Sequence, residues 1–309
     1  MMDSKMTVGG QAVIEGVMMR STTALAVAVR TPNGEISVKR ETLKDPEVRP
    51  KILRLPIIRG VITLFQALYL GIQALNFSAN QSLDEEDTEL SPLSLTLTMV
   101  FAFGVGIALF VYLPLFLTNL LEGVLPHITH SSVLFNLVDG VIRLGIFLLY
   151  MFGISRVKEL RRVFEYHGAE HKTIFAYENN EELTAEHADK YSTFHPRCGT
   201  NFLLIVMMIS ILLFSVLRSD AAFYLKFLSR IVFVPLIAGV SYEIIRLAAR
   251  HQDKMWARWM TKPGLSLQRI TTKPPSKDQL EVAIRALQEV LDMEREHPRA
   301  TPERFEMIL

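Results

Sequence analysis

The sequence predicts an α-helical integral membrane protein with about four transmembrane helices, one interfacial or re-entrant helix, and a small α+β cytosolic part containing a β-hairpin. Three observations predict it. Of the 309 residues 50% are hydrophobic and only 21% are charged. Charge is absent from long stretches, including all of 90–121 and 198–217, and about 18 or more apolar residues in a row can cross a bilayer core. Lysine and arginine are unevenly shared among the segments between those stretches. This composition excludes a purely soluble globular protein, a disordered chain and a secreted disulfide scaffold. The single cysteine, Cys198, has no internal partner. A net charge of +1 offers no global attraction for nucleic acid, so none is expected as a partner. The start MMDSKMTVGGQ lacks the charged opening and apolar core of a signal peptide.

Residues 1–59 read as an N-terminal cytosolic segment. Within it, 24–40 reads as a β-hairpin: Leu25, Val27 and Val29 alternate with alanine, Ile36 and Val38 alternate with polar residues, and Thr31-Pro32-Asn33-Gly34 supplies the turn. The glycine-rich stretch from Gly9 to Arg20 matches no nucleotide-binding loop. It reads as a tight turn into a strand, with an anion nest beside Arg20 as the alternative and Glu15 as its one residue of functional interest.

Transmembrane helices 1 and 2 are expected within 93–154, at about 93–118 and 132–154, and helices 3 and 4 within 201–247, at about 201–217 and 227–247. The uncharged stretch 60–83 is a fifth candidate, interrupted by Gln66, Gln73 and Asn76. Topology arbitrates. The loop 155–200 and the tail 249–309 are rich in Lys and Arg, whereas 119–131 has neither, so the positive-inside rule puts 155–200, the tail and both termini in the cytosol. A crossing by 60–83 would put every cation of 1–59 outside; that stretch is therefore read as an interfacial or re-entrant helix. Arg218, Lys226 and Arg230 count mildly against this orientation. In the tail, 276–292 reads as an amphipathic helix opened by a Ser276/Gln279 capping box. The acidic run 84–87 reads as a solvated loop.

The reactive side chains concentrate in 155–200. His167, Glu170 and His171 form H-x-x-E-H; on a helix the two imidazoles share a face at i and i+4, a spacing that suits two ligands of one Zn²⁺, with Glu170 beside them to activate water. His195 and Cys198 follow in H-P-R-C-G, and either can supply a third ligand. All four together would make a closed, structural set, whereas a catalytic zinc keeps a position open. Glu178, Glu182 and Glu243 are further candidate ligands. Asp139 and Arg143, at i and i+4 in the second span, read as a salt bridge within the helix, and Arg246 at the end of the fourth can snorkel.

Taken in order, VGGQAVIEGVMMR at 8–20, PIIRGV at 56–61, EYHGAEHKTIFAYE at 165–178 and HPRCGT at 195–200 resemble the signatures of the DUF1385 (YqhQ-like) family of bacterial membrane proteins. The resemblance covers roughly 7–295 and implies a metal-dependent enzyme, with His167, Glu170, His171, His195, Arg197 and Cys198 as its site and Glu15 and Arg20 behind them. Two functions follow. One is a zinc hydrolase at the cytosolic face of the cell membrane, with Glu170 as general base and Arg197 steadying an anion, acting on a lipid or a membrane peptide. The other is a membrane scaffold or assembly factor whose His/Cys cluster is structural and whose hairpin and tail helix meet a partner.

Overall fold

A computed structural model describes residues 6–45, 50–83, 92–124, 131–216, 220–251 and 254–296. Four strands, β1 (Gly9–Val13), β2 (Gly16–Arg20), β3 (Ala24–Arg30) and β4 (Ile36–Thr42), form an antiparallel meander in the order β1-β2-β3-β4. The expected hairpin is β3–β4, with Gly34 in the turn at φ +86°. A second hairpin, β1–β2, pairs Val13 with Gly16 across the two-residue loop Ile14-Glu15. The glycine-rich stretch is thus a turn between strands. Glu15 stands there at φ 49°, its carboxylate bound by the Arg162 guanidinium. Gly16 has no room for a side chain: a β-carbon would meet the Ala28 carbonyl oxygen at 2.2 Å.

Eleven helices follow among the described residues: α1 (Ile58–Gln81), α2 (Pro92–Ile107), α3 (Leu113–Val124), α4 (Ser132–Ile154), α5 (Lys158–Glu178), α6 (Ala185–Asp189), α7 (Thr200–Ser215), α8 (Phe223–Val232), α9 (Val234–Arg250), α10 (Met255–Thr271) and α11 (Lys277–Glu296). A π turn at Ala108–Tyr112 joins α2 to α3 just before Pro114, which cannot donate back into the ladder. The break of 42° between α8 and α9 precedes Pro235 in the first turn of α9.

Among the described residues three helices, α1, Thr96–Val124 and α4, are long and apolar enough to cross a membrane, and the bent pair α8–α9 adds a fourth where it is counted as one broken span rather than a re-entrant loop. Three to four candidates thus stand against the expected four, with a different membership. The segment expected at 201–217 is α7, only 16 residues long, while 60–83 lies in α1, whose 24 residues pass the test of length and composition. Helix α2 hides little of its apolar surface: Leu93, Val100 and Phe101 are 69%, 65% and 73% exposed. Each such side chain forgoes about 1.5–3 kcal/mol by standing in water, so this surface suits a bilayer.

The sheet is buried on both faces, which is why β2 and β3 carry apolar residues at nearly every position. One face (Val17, Met19, Ala26, Ala28) packs on α5 and α11 through Tyr166, Ala169, Leu280 and Leu287. The alanines that alternate in β3 admit α11 closely. The other face (Val13, Met18, Val27, Val29) packs on Leu70 and Ala74 of α1. The capping box at Ser276 and Gln279 forms as expected. The apolar face of α11, however, is covered by the sheet and α5, so it presents no groove-binding surface to a partner.

Helix α7 lies at the middle of the remaining helices, against α4, α9 and α10. Asp139 accepts from Arg143 at 2.7 Å within α4, and Arg230 of α8 reaches the same carboxylate oxygen at 3.4 Å and Asn136 Oδ1 at 2.8 Å. Lys226, also buried, donates to Asn119 Oδ1 at 2.8 Å. Two of the cations weighed as loop charges therefore point into the helix bundle. Arg218 and the acidic run 84–87 lie outside the described residues.

Candidate metal centre

Helix α5 carries H-x-x-E-H at its middle, and Gly168 does not break it. The glycine is there for space: a β-carbon would stand 2.1 Å from the Lys273 carbonyl oxygen, because the linker between α10 and α11 crosses the helix at this point. The Lys273 N–H donates to the Phe164 carbonyl at 2.9 Å and ties that crossing down.

The i, i+4 spacing brings the His167 and His171 rings to 4.4 Å between centroids. Each ring is turned by a backbone carbonyl. His167 Nδ1–H donates to Thr271 O at 2.8 Å, and His171 Nδ1–H donates to Thr193 O at 2.5 Å. These bonds set the tautomer and leave each Nε2 unprotonated, the arrangement that metal-binding histidines adopt. His167 Nε2 lies 3.2 Å from Cys198 Sγ. His171 Nε2 is buried and has no hydrogen-bond partner. One ring nitrogen from each histidine and the sulfur all lie within 4.8 Å of one another, a grouping of the kind that could hold a metal ion.

Cys198 precedes α7, and its sulfur approaches the Thr200 hydroxyl at 3.3 Å and the Thr200 N–H at 3.5 Å. Burial pushes the thiol up, but the adjacent His171 and the Thr200 donors outweigh it, so the thiol titrates below its ordinary value. Burial pushes His171 below the usual histidine range. Glu170 is buried and is pushed up to about 8 by desolvation, against the opposing effects of His167 and of the Gly10 N–H that it accepts. A divalent cation alongside would reverse that shift.

A small cavity of about 30 Å³ is bounded by Gly9, Gly10, Glu170, His171, Arg197 and Cys198. The glycine-rich stretch, H-x-x-E-H and H-P-R-C-G, far apart in the chain, thus meet at one point. Gly10 is needed there: a β-carbon would meet Met18 O at 2.7 Å and Glu170 Cγ at 3.0 Å.

The other expected residues stand further out. His195 Nδ1 accepts from the Arg197 N–H at 3.3 Å, and its Nε2 faces Glu178 at 3.5 Å, so both ring nitrogens are engaged away from the cysteine. Its ring is 5.6 Å from that of His171 and lines the same cavity. Arg197 pairs with Glu178. Glu243 is held by Arg59, whose Nε donates to it at 2.6 Å, and Glu182 is not in the group. Arg20 is buried in β2 and does not line the cavity. Sequence reasoning missed Thr193, Gln268 and Thr271. Gln268 makes a double clamp on the site loop, accepting the His195 N–H and donating to the His195 carbonyl, each at 2.8 Å. This glutamine, beside Leu267 in α10, is fully buried, but its sequence neighbours carry no signal that marks it.

Comparison with known proteins agrees with these motifs. The profile of the family described as "Protein of unknown function (DUF1385)" matches residues 55–293. The chain is 30% identical to the "Uncharacterized protein YqhQ" of Bacillus subtilis (strain 168) over 299 residues, covering 93% of this chain and 92% of that one. No solved structure matches. With most of its length matched by the profile and nearly all of it by this relative, the chain belongs to the DUF1385 family.

Proposed function

We propose that the protein is a membrane-embedded zinc-dependent hydrolase working at the cytosolic face of the membrane. The observation that carries this is the grouping of two histidines and a cysteine: both Nδ1–H groups donate to backbone carbonyls, His167 Nε2 lies 3.2 Å from the Cys198 sulfur, and one ring nitrogen from each histidine lies within 4.8 Å of that sulfur. Two imidazoles and a thiolate favour zinc over magnesium or calcium. Three protein ligands leave one coordination position open, the condition for catalysis rather than structure. Tetrahedral zinc would need ligand atoms roughly 3.3–3.6 Å apart; His167 Nε2 and Cys198 Sγ stand 3.2 Å apart, and the whole group lies within 4.8 Å.

Zinc held there supplies Lewis-acid polarisation and activation of water. The chain supplies the rest. Thr271 and Thr193 hold the imidazoles in register. Glu170 takes the proton of the attacking water at its carboxylate and returns it to the leaving group. Arg197, at the wall of the same cavity, neutralises the developing anion. The site lies beside Cys198 at the start of α7, where the three-layered part meets the apolar helices. We place this part, and both termini, in the cytosol, with α1 lying along the interface: its Leu70 and Ala74 are covered by the sheet, while Phe65, Leu68 and Tyr69 form an exposed apolar face.

Elemental analysis of detergent-purified protein tests the reading. About one zinc per chain is expected in the wild type and in Glu170→Gln, and a large loss in His167→Ala. Zinc-free protein that ignores added zinc would overturn it and leave the scaffold reading. Hydrolase activity that survives Glu170→Gln would leave the site structural.

A further inference from the structure

A second, larger cavity of about 320 Å³ opens beside the metal centre, between α7, α9 and α10. Its walls are apolar: Phe202 and Ile205 from α7, Ile245 and Ala248 from α9, Ala257 and Leu265 from α10. Three cations line it, Arg197, Arg258 and Lys262; Glu178, which pairs with Arg197, is not part of the wall, and neither is any other carboxylate among the described residues. Arg197 and Cys198 belong to the walls of both cavities. The hydrolase reading does not account for this space, since activating a water needs only the smaller cavity.

The surroundings are those of a membrane interface. Met255 and Trp259 on α10 are 75% and 66% exposed, and Trp256 also faces outward. The Lys262 ammonium lies 5.1 Å from the Trp259 ring centroid. Tryptophan beside lysine and arginine is the usual composition of a helix seated at headgroup depth. An apolar cleft of this size suits a hydrocarbon chain, and a cationic, carboxylate-free wall suits a negative headgroup.

We propose that this cavity binds an anionic phospholipid taken from the adjoining leaflet, its acyl chain between α7, α9 and α10 and its phosphate among Arg258, Lys262 and Arg197. Through the shared wall at Arg197 and Cys198, the headgroup end of that lipid faces the metal centre, which makes anionic phospholipids the substrate class. As a substrate assignment this rests on the hydrolase reading; as a binding site it does not.

Native mass spectrometry of the full-length detergent-solubilised chain, offered equal amounts of phosphatidylglycerol and phosphatidylcholine with the same acyl chains, tests it. Phosphatidylglycerol is expected to be retained in preference by at least about tenfold, a preference that Arg258→Gln with Lys262→Gln abolishes. Ala249→Phe, which fills the cavity, is expected to reduce retention of both lipids. His167→Ala should lose zinc yet keep the lipid preference, so failure of the metal reading and failure of this one remain separate results. Lys262 is exposed, so Lys262→Gln alone serves as a variant that leaves folding intact and still weakens the preference. Equal retention of the two lipids in the wild type overturns the proposal. So does an unchanged preference in the double variant, unchanged retention in Ala249→Phe, or displacement of the lipid by inorganic phosphate at matched ionic strength, which would make the site one for soluble anions.

Discussion

The Lys273 carbonyl oxygen lies against Gly168 so closely that a β-carbon there would come within 2.1 Å of it. This contact presses the linker before α11 onto the turn of α5 that carries His167 and His171. Gly168→Ala gains intrinsic helix propensity, yet must push backbone away, and overpacking of this kind costs about 1–3 kcal/mol or more. We expect a lower unfolding temperature in detergent together with weaker zinc retention, because Thr271, which orients His167, lies two residues before Lys273. A variant as stable as the wild type would show that the linker is free to move.

Asp139 serves two arginines, and that alters what its replacement should do. Asp139→Leu removes the carboxylate that both Arg143 and Arg230 face, whereas Arg143→Leu leaves Asp139 paired with Arg230. Removing one partner of a buried pair costs about 3–5 kcal/mol. Asp139→Leu is therefore expected to be the most harmful single change, Arg143→Leu the milder one, and the double replacement intermediate, with Arg230 retained by Asn136. Ranking the three by heat-induced aggregation in micelles checks this. Equal damage from the two single changes would contradict a shared carboxylate.

His195 makes stability depend on pH. Burial pushes its imidazole down to about 4 in the folded protein, against an unfolded value near 6.5. Between these values the unfolded chain binds a proton that the folded chain excludes, so stability falls as pH falls from about 6.5 towards 4. The slope is about 1.4 kcal/mol per pH unit for one such group. Denaturant titrations of metal-free protein at several pH values should show this slope, and His195→Gln should flatten it. An identical slope in that variant would assign the effect to other groups.

Sidedness is open to direct measurement. Reporter fusions at residues 45, 180 and 300 are expected on the cytosolic side, and a fusion at 125 on the opposite side. Fusions at 45 and 180 on different sides would mean that α1 crosses the bilayer.

The local parts of this molecule were legible in its residues, and the convergent parts were not. The helical spacing of His167 and His171, the turn at Gly34 and the capping box at Ser276 depend on neighbours within four positions, and each is present as read. The choice between His195 and Cys198 was not legible, because the pair sits in a turn, where a spacing of three sets no common face. The alternating alanines of β3 looked like the filler of one hairpin; their meaning is a second apolar face, visible only once α11 is laid across it. Gly10, Gln268 and Thr271 reach the centre through backbone atoms or a single amide, which leave no pattern along the chain.

The dependence of His167 on Thr271 also fixes when the centre matures. A ribosome that has finished the codon for Cys198 has delivered both imidazoles and the thiol, but not the carbonyl that orients one of the rings. That carbonyl arrives only after α8 and α9 have been made, and its helix must then fold back against α7. A nascent chain therefore carries the three side chains through synthesis of α7, α8 and α9 without the carbonyl that aligns His167. If the proposed metal binds here, its loading is expected late in biogenesis, coupled to completion of the helix bundle rather than to emergence of the three side chains.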